Sequence, residues 1–117
     1  MTVRRIVPNI AADDPGLARA FYDTLLGLKI VMDHGWILTY ASEASAAPQI
    51  SVAREGGSGT PVPDLSIEVD DVDQVYQRVK STEFESTYDI TDEPWGVRRF
   101  FVRDPFGRIV NTLSHLD

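Results

Sequence analysis

One local pattern occurs twice in this chain, 57 residues apart: a strand-like run closes on paired aspartates, and an apolar stripe at helical spacing follows. In the first copy Val3–Ala11 alternates and leads into Asp13-Asp14-Pro15; in the second Leu65–Val69 leads into Asp70-Asp71-Val72. An aspartate at this junction caps the first free N–H groups of a helix, and Pro15 suits the first helical position. The stripes are Leu17, Ala18, Phe21 and Leu25, stopped by Gly27, and Val72, Val75, Tyr76 and Val79. Three strand-like runs follow each helix: Leu28–Met32, Trp36–Ala41 and Gln49–Ala53, then Phe84–Ile90, Val97–Val102 and Arg108–Leu113. Asp33-His34-Gly35 and Asp104-Pro105-Phe106-Gly107 read as turns. The expected fold is therefore α+β, a βαβββ module used twice, repeated in pattern and not in residue identity.

Between the copies Glu55–Pro63 is rich in glycine and proline and reads as an exposed connection. The expected division is one domain with a first module at about 1–55, a linker at 56–63 and a second module at about 64–117. Acidic charge concentrates in the second half: residues 60–117 hold twelve acids and six bases, residues 1–59 six and five. A net charge of −7 opposes binding to nucleic acid or to an anionic membrane. With no cysteine, disulfides, zinc–thiolate sites and cysteine nucleophiles are excluded. No 18-residue apolar run or leader-like segment occurs, so a cytoplasmic protein is expected.

Three stretches carry a resemblance. Residues 18–28, ending Leu25-Leu26-Gly27-Leu28, resemble the first helix of the vicinal oxygen chelate superfamily, which includes glyoxalase I, extradiol dioxygenases and bleomycin-resistance proteins. Ile67-Glu68-Val69-Asp70-Asp71-Val72-Asp73 resembles its second strand-to-helix step, and Pro94-Trp95-Gly96 with Phe101–Arg108 its last hairpin. The resemblance implies a curved mixed sheet around a pocket, helices outside, and a homodimer. It places the metal-ligand positions of the enzymes at or near Val7, Asp64 and Asn111, with Gln49 and Ser51 on the remaining strand. Valine cannot ligate, and an asparagine amide is a weak donor where the enzymes place a carboxylate. No cofactor is expected on that ground; a divalent metal would need Asp64 with unusual partners.

Strand alternation groups Asp64, Ser66 and Glu68 on one face, Arg5, Val7 and Asn9 on another, and Ile109, Asn111 and Leu113 on a third. The layout of the family turns these faces to the pocket, unless they are solvated or Glu68 is paired with Arg98 or Arg99. Trp36, Tyr40, Trp95, Phe100 and Phe101 are either core or aromatic walls. Trp95 stands out, because Asp92-Glu93-Pro94-Trp95-Gly96 is an acidic turn; with Asp89 it suits a planar cation. Arg98, Arg99 and Arg103 either pair with the acids or hold an anionic group. His34 and His115 read as solvated, and Gly56-Gly57-Ser58-Gly59 lacks the lysine of a phosphate loop. The expected ligand-binding residues are Trp95, Asp64, Glu68, Asn111, Asn9, Trp36 and Arg99. The expected function is metal-free binding of a cationic or aromatic small molecule, in the manner of bleomycin-resistance proteins. The alternative is a glyoxalase-like lyase or dioxygenase-type enzyme with Glu68 or Asp64 as base.

Overall fold

The computed structural model describes residues 2–25, 27–43 and 49–117; Leu26 of the first-helix motif and the side chain of Leu25 lie outside the described parts. The chain forms two compact units, 7–62 and 63–117, with residues 1–6 joining the second. The strand β1 (Val3–Ala11) contributes to both. The N-terminal segment therefore belongs partly with the second half of the sequence, where Thr2 N–H donates to Asp70 Oδ1 at 2.8 Å.

In the unit 7–62 the strand order is β2 (Lys29–Asp33), β3 (Ile37–Ala41), β4 (Gln49–Ala53), β1. The β1–β4 pair is parallel, with Asn9 opposite Ser51, and the others are antiparallel. Leu38, Tyr40 and Val52 are buried. Asp14 caps as expected, its Oδ1 accepting from Gly16 N–H at 3.1 Å, and Pro15 is buried. The helix that follows differs from expectation: Pro15–Ala18 is a 3-10 turn and Arg19–Leu25 is π-helical. A stripe counted at 3.6 residues per turn loses phase in a tight and then a wide helix. Ala18 and Tyr22 become half-buried, with the Tyr22 ring 5.7 Å from Tyr40, whereas Leu17 is 76% and Phe21 51% exposed.

The glycine-rich connection is also more closely built than its composition suggests. Gly56 N–H donates to the Thr60 carbonyl at 2.8 Å, and Gly56, Gly57 and Pro63 are buried. A Cβ on Gly56 would lie 2.2 Å from the Pro61 carbonyl oxygen, so only glycine lets the chain fold back there.

In the unit 63–117 the order is β1, β5 (Leu65–Val69), β8 (Ile109–His115), β7 (Val97–Arg103), β6 (Ser86–Asp92). Strands β5 and β8 are parallel; β7 pairs antiparallel with both β8 and β6. Asp71 caps α1 (Val72–Lys80), its Oδ1 accepting from Gln74 N–H at 3.1 Å. The helix buries its stripe on one face of these strands: Val72 and Tyr76 meet Val69 and Phe100, with Ile67, Val75, Val79, Ile90 and Val102 around them. The mixed strand pairing and the helix in each unit make the fold α+β, as the sequence predicts. No described helix is long and apolar enough to cross a membrane.

Candidate functional site

Because one face of the β5–β8–β7 strands is committed to α1, alternation fixes what the other face carries. Two rows cross it. Ser66, Asn111 and Phe101 are opposite one another, and Glu68, Leu113 and Arg99 form the next row. Asn111 is only 8% exposed; its Nδ2 donates to Ser66 Oγ at 3.1 Å, while its Oδ1 is buried with no hydrogen-bond partner among the described residues. Glu68 is held at both oxygens, Oε1 by Arg5 at 3.0 Å and Oε2 by His115 Nδ1 at 3.0 Å. Its partners are thus Arg5 and His115, and neither Arg98 nor Arg99.

The β6–β7 connection closes by Glu93 N–H to the Val97 carbonyl at 2.7 Å, with Gly96 at φ +90°. This turn lays Glu93 and Trp95 against Arg99. The Arg99 and Glu93 side chains are each 3% exposed, with Nη2 and Oε2 2.7 Å apart, and Arg99 Nε donates to the same oxygen at 2.7 Å. The guanidinium carbon lies 4.8 Å from the Trp95 ring centre, 4.9 Å from Phe101 and 5.2 Å from Tyr88. Tyr88 Oη donates to Glu93 Oε2 at 3.1 Å.

The other acids of this region are engaged too. Asp92 and Asp73 each lie 2.9 Å from Arg98, raising its already high pKa. Asp89 accepts from Tyr76 Oη and from Ile90 N–H, and those bonds hold its carboxyl below the ordinary range.

Glu68, Asn111, Arg99 and Trp95 are thus brought together in one unit. Asp64 stands just before β5, where its Oδ2 accepts from Ile109 N–H at 2.9 Å. Asn9 and Trp36 belong to the unit 7–62; Asn9 is opposite Ser51, and the Trp36 ring stacks on His34 at 6.1 Å. Sequence spacing does not single out Tyr88; the register of β6 on β7, which shifts on both sides of it, sets it opposite Phe101. Tyr40 and Phe100 are core residues; Phe101 is buried too, on the face that carries Asn111 and Arg99.

Of the positions that the resemblance assigns to a metal, Val7 and Ser51 belong to the unit 7–62, and Asp64 and Asn111 to the unit 63–117. Val7 is buried and apolar, Asp64 is bonded to backbone, Ser51 Oγ is 2.7 Å from Thr39 Oγ1, and Asn111 is neutral. Among the described residues no three His, Cys, Asp or Glu side chains are grouped to hold a metal ion.

Comparison with known proteins agrees with this architecture. A hypothetical protein from Bacillus halodurans is 14% identical with a TM-score of 0.74, covering 100% of this chain and 97% of its own. A glyoxalase/bleomycin resistance protein/dioxygenase superfamily member from Vibrio splendidus is 17% identical with a TM-score of 0.66, covering 98% and 100%. Methylmalonyl-CoA epimerase from Mycobacterium tuberculosis is 18% identical with a TM-score of 0.63, covering 98% and 88%. At such identities the likeness is one of fold. None of the curated protein sequences compared with the chain matches it. The profile of the glyoxalase/bleomycin resistance protein/dioxygenase superfamily, however, matches residues 3–111, and the chain belongs to that superfamily.

Proposed function

We propose that this chain is a metal-free small-molecule-binding protein, and that its ligand is a flat aromatic compound carrying an N–H or O–H donor for Asn111. The observation that carries the reading is the buried Asn111 Oδ1. Leaving such an acceptor unmet costs on the order of 1–3 kcal/mol, and a ligand donor recovers that cost. Phe101 and Leu113 lie beside it on the same face and are buried as well, so an aromatic body that reaches Asn111 enters an enclosed apolar position. Binding is favoured over acid–base chemistry because both Glu68 oxygens are engaged, which leaves the carboxylate poorly placed to take a proton from a ligand.

The test uses indole and N-methylindole, which differ in one donor, followed by the resonances of Asn111, Phe101 and Leu113. Indole is expected to shift these residues and to bind about tenfold tighter than N-methylindole, equivalent to one hydrogen bond of roughly 1.4 kcal/mol. Asn111→Leu is expected to erase the difference. Equal affinities, or shifts confined to other residues, overturn the reading. Calorimetric titration of chelator-treated protein with Ni²⁺, Mn²⁺, Zn²⁺ and Fe²⁺ is expected to show no stoichiometric binding; a tight equimolar site refutes the metal-free part.

A further inference from the structure

The surroundings of Arg99 have the composition of a recognition site for an organic cation. One buried carboxylate, Glu93, and three rings, Trp95, Phe101 and Tyr88, surround a planar positive group at 4.8–5.2 Å from each ring centre. Stability alone does not call for this arrangement, because apolar residues of similar volume commonly replace a buried ion pair without loss. Tyr88 Oη adds a hydrogen bond to Glu93, so the carboxylate is oriented toward the guanidinium by a second element. We propose that Tyr88, Glu93, Trp95 and Phe101 form a cation-binding cage whose resident cation is the side chain of Arg99, and that Arg99 thereby excludes cationic ligands from the face carrying Asn111.

The second half of this proposal rests on the function proposed above; the first does not. With Arg99 in place the cage carries no net charge, and an incoming cation meets a like charge in the position it would itself take. Arg99 and Leu113 are opposite one another, and Leu113 is two residues from Asn111 on the same face. The resident guanidinium therefore borders the position of the ligand, and it selects an uncharged aromatic over a charged one. The acidic turn at 92–96, which in the sequence suggests a cationic ligand, is satisfied by a cation that the chain brings itself.

The experiment empties the cage and offers it a replacement. Arg99→Ala and wild type are titrated with methylguanidinium and with its neutral counterpart methylurea, reading the Trp95 indole N–H resonance and Tm. The expected result is saturable uptake of methylguanidinium by Arg99→Ala, with a raised Tm, none by wild type, and no effect of methylurea on either. Adding Glu93→Gln to Arg99→Ala is expected to abolish the uptake. Equal response of wild type and variant, or no discrimination between the two compounds, overturns the cage. If Arg99→Ala does not fold, it is refolded with methylguanidinium present; recovery of the native Trp95 signal supports the cage and its failure overturns it.

Tryptamine against indole then tests exclusion: wild type is expected to take indole and reject tryptamine, and Arg99→Ala to accept both. Rejection of tryptamine by both overturns the exclusion. If wild type takes neither, the proposed function fails, while the methylguanidinium result still decides the cage.

Discussion

Replacing Glu93 by glutamine removes one charge from a pair whose two side chains are each 3% exposed, and changes almost nothing in volume. Breaking a buried pair from one side leaves the partner uncompensated, which costs on the order of 3–5 kcal/mol. Here the remaining guanidinium keeps three aromatic faces, each worth roughly 0.5–2 kcal/mol, and glutamine still offers it one carbonyl oxygen. The expected loss is therefore near the low end, about 3 kcal/mol. In a domain of this size that lowers Tm by roughly 12 °C. Urea denaturation followed by tryptophan fluorescence measures it directly. Arg99→Met is expected to cost a similar amount, because it leaves Glu93 buried with Tyr88 as its hydrogen-bond donor. The double variant Glu93→Gln/Arg99→Met is expected to recover most of the loss, since neither charge then remains to be desolvated. An internal control lies nearby: Arg103 and Glu85 are 3.9 Å apart and largely exposed, and truncating that pair is expected to cost less than about 1 kcal/mol. A Glu93→Gln penalty as small as the control, or a double variant as unstable as the summed singles, refutes the reasoning.

Tyr40 is fully buried and its hydroxyl has no partner among the described residues, so Tyr40→Phe is expected to stabilise the protein by about 1 kcal/mol in urea, against the usual direction of core changes. Burial also raises the Tyr40 phenol, so its contribution is complete below about pH 10 and is lost as pH rises through the folded value. Tyr40→Phe is expected to flatten that alkaline decline; a destabilised variant with an unchanged alkaline limb contradicts both statements. The lowered Asp89 works in the opposite sense: its contribution is complete above about pH 4 and is lost as pH falls through the folded value. The stability difference between wild type and Tyr76→Phe, which removes the main cause of that shift, is expected to shrink on acidification; a pH-independent difference assigns the loss to packing instead.

Where local rules agreed with one another, the sequence could be read directly. The Asp71 cap, the spacing of Val72, Val75, Tyr76 and Val79, and the alternation of 65–69 all specify one arrangement, and the structure has it. At the first helix the cap was legible and the pitch was not. Nothing local to Leu17 or Phe21 announces that Pro15–Ala18 tightens and Arg19–Leu25 widens, and a phase error of one residue is enough to turn both outward. The site divides in the same way. Alternation alone places Glu68 with Ser66, Asn111 with Leu113, and Arg99 with Phe101. What meets across strands depends on register and on the curl of a turn, and neither is written in spacing: Arg5 and His115 reach Glu68 from different strands, and Glu93 reaches Arg99 only because the 93–96 turn folds back. Net charge does not by itself say which acid can meet a ligand. Twelve acids in the second half suggest a field that draws cations, yet Asp73, Asp89, Asp92 and Glu93 each have a donor within the unit. Those contacts hold the carboxylates in place and leave the unit its net negative charge, so the ligand's chemistry on this face is inferred from a buried acceptor with no partner among the described residues, the amide oxygen of Asn111.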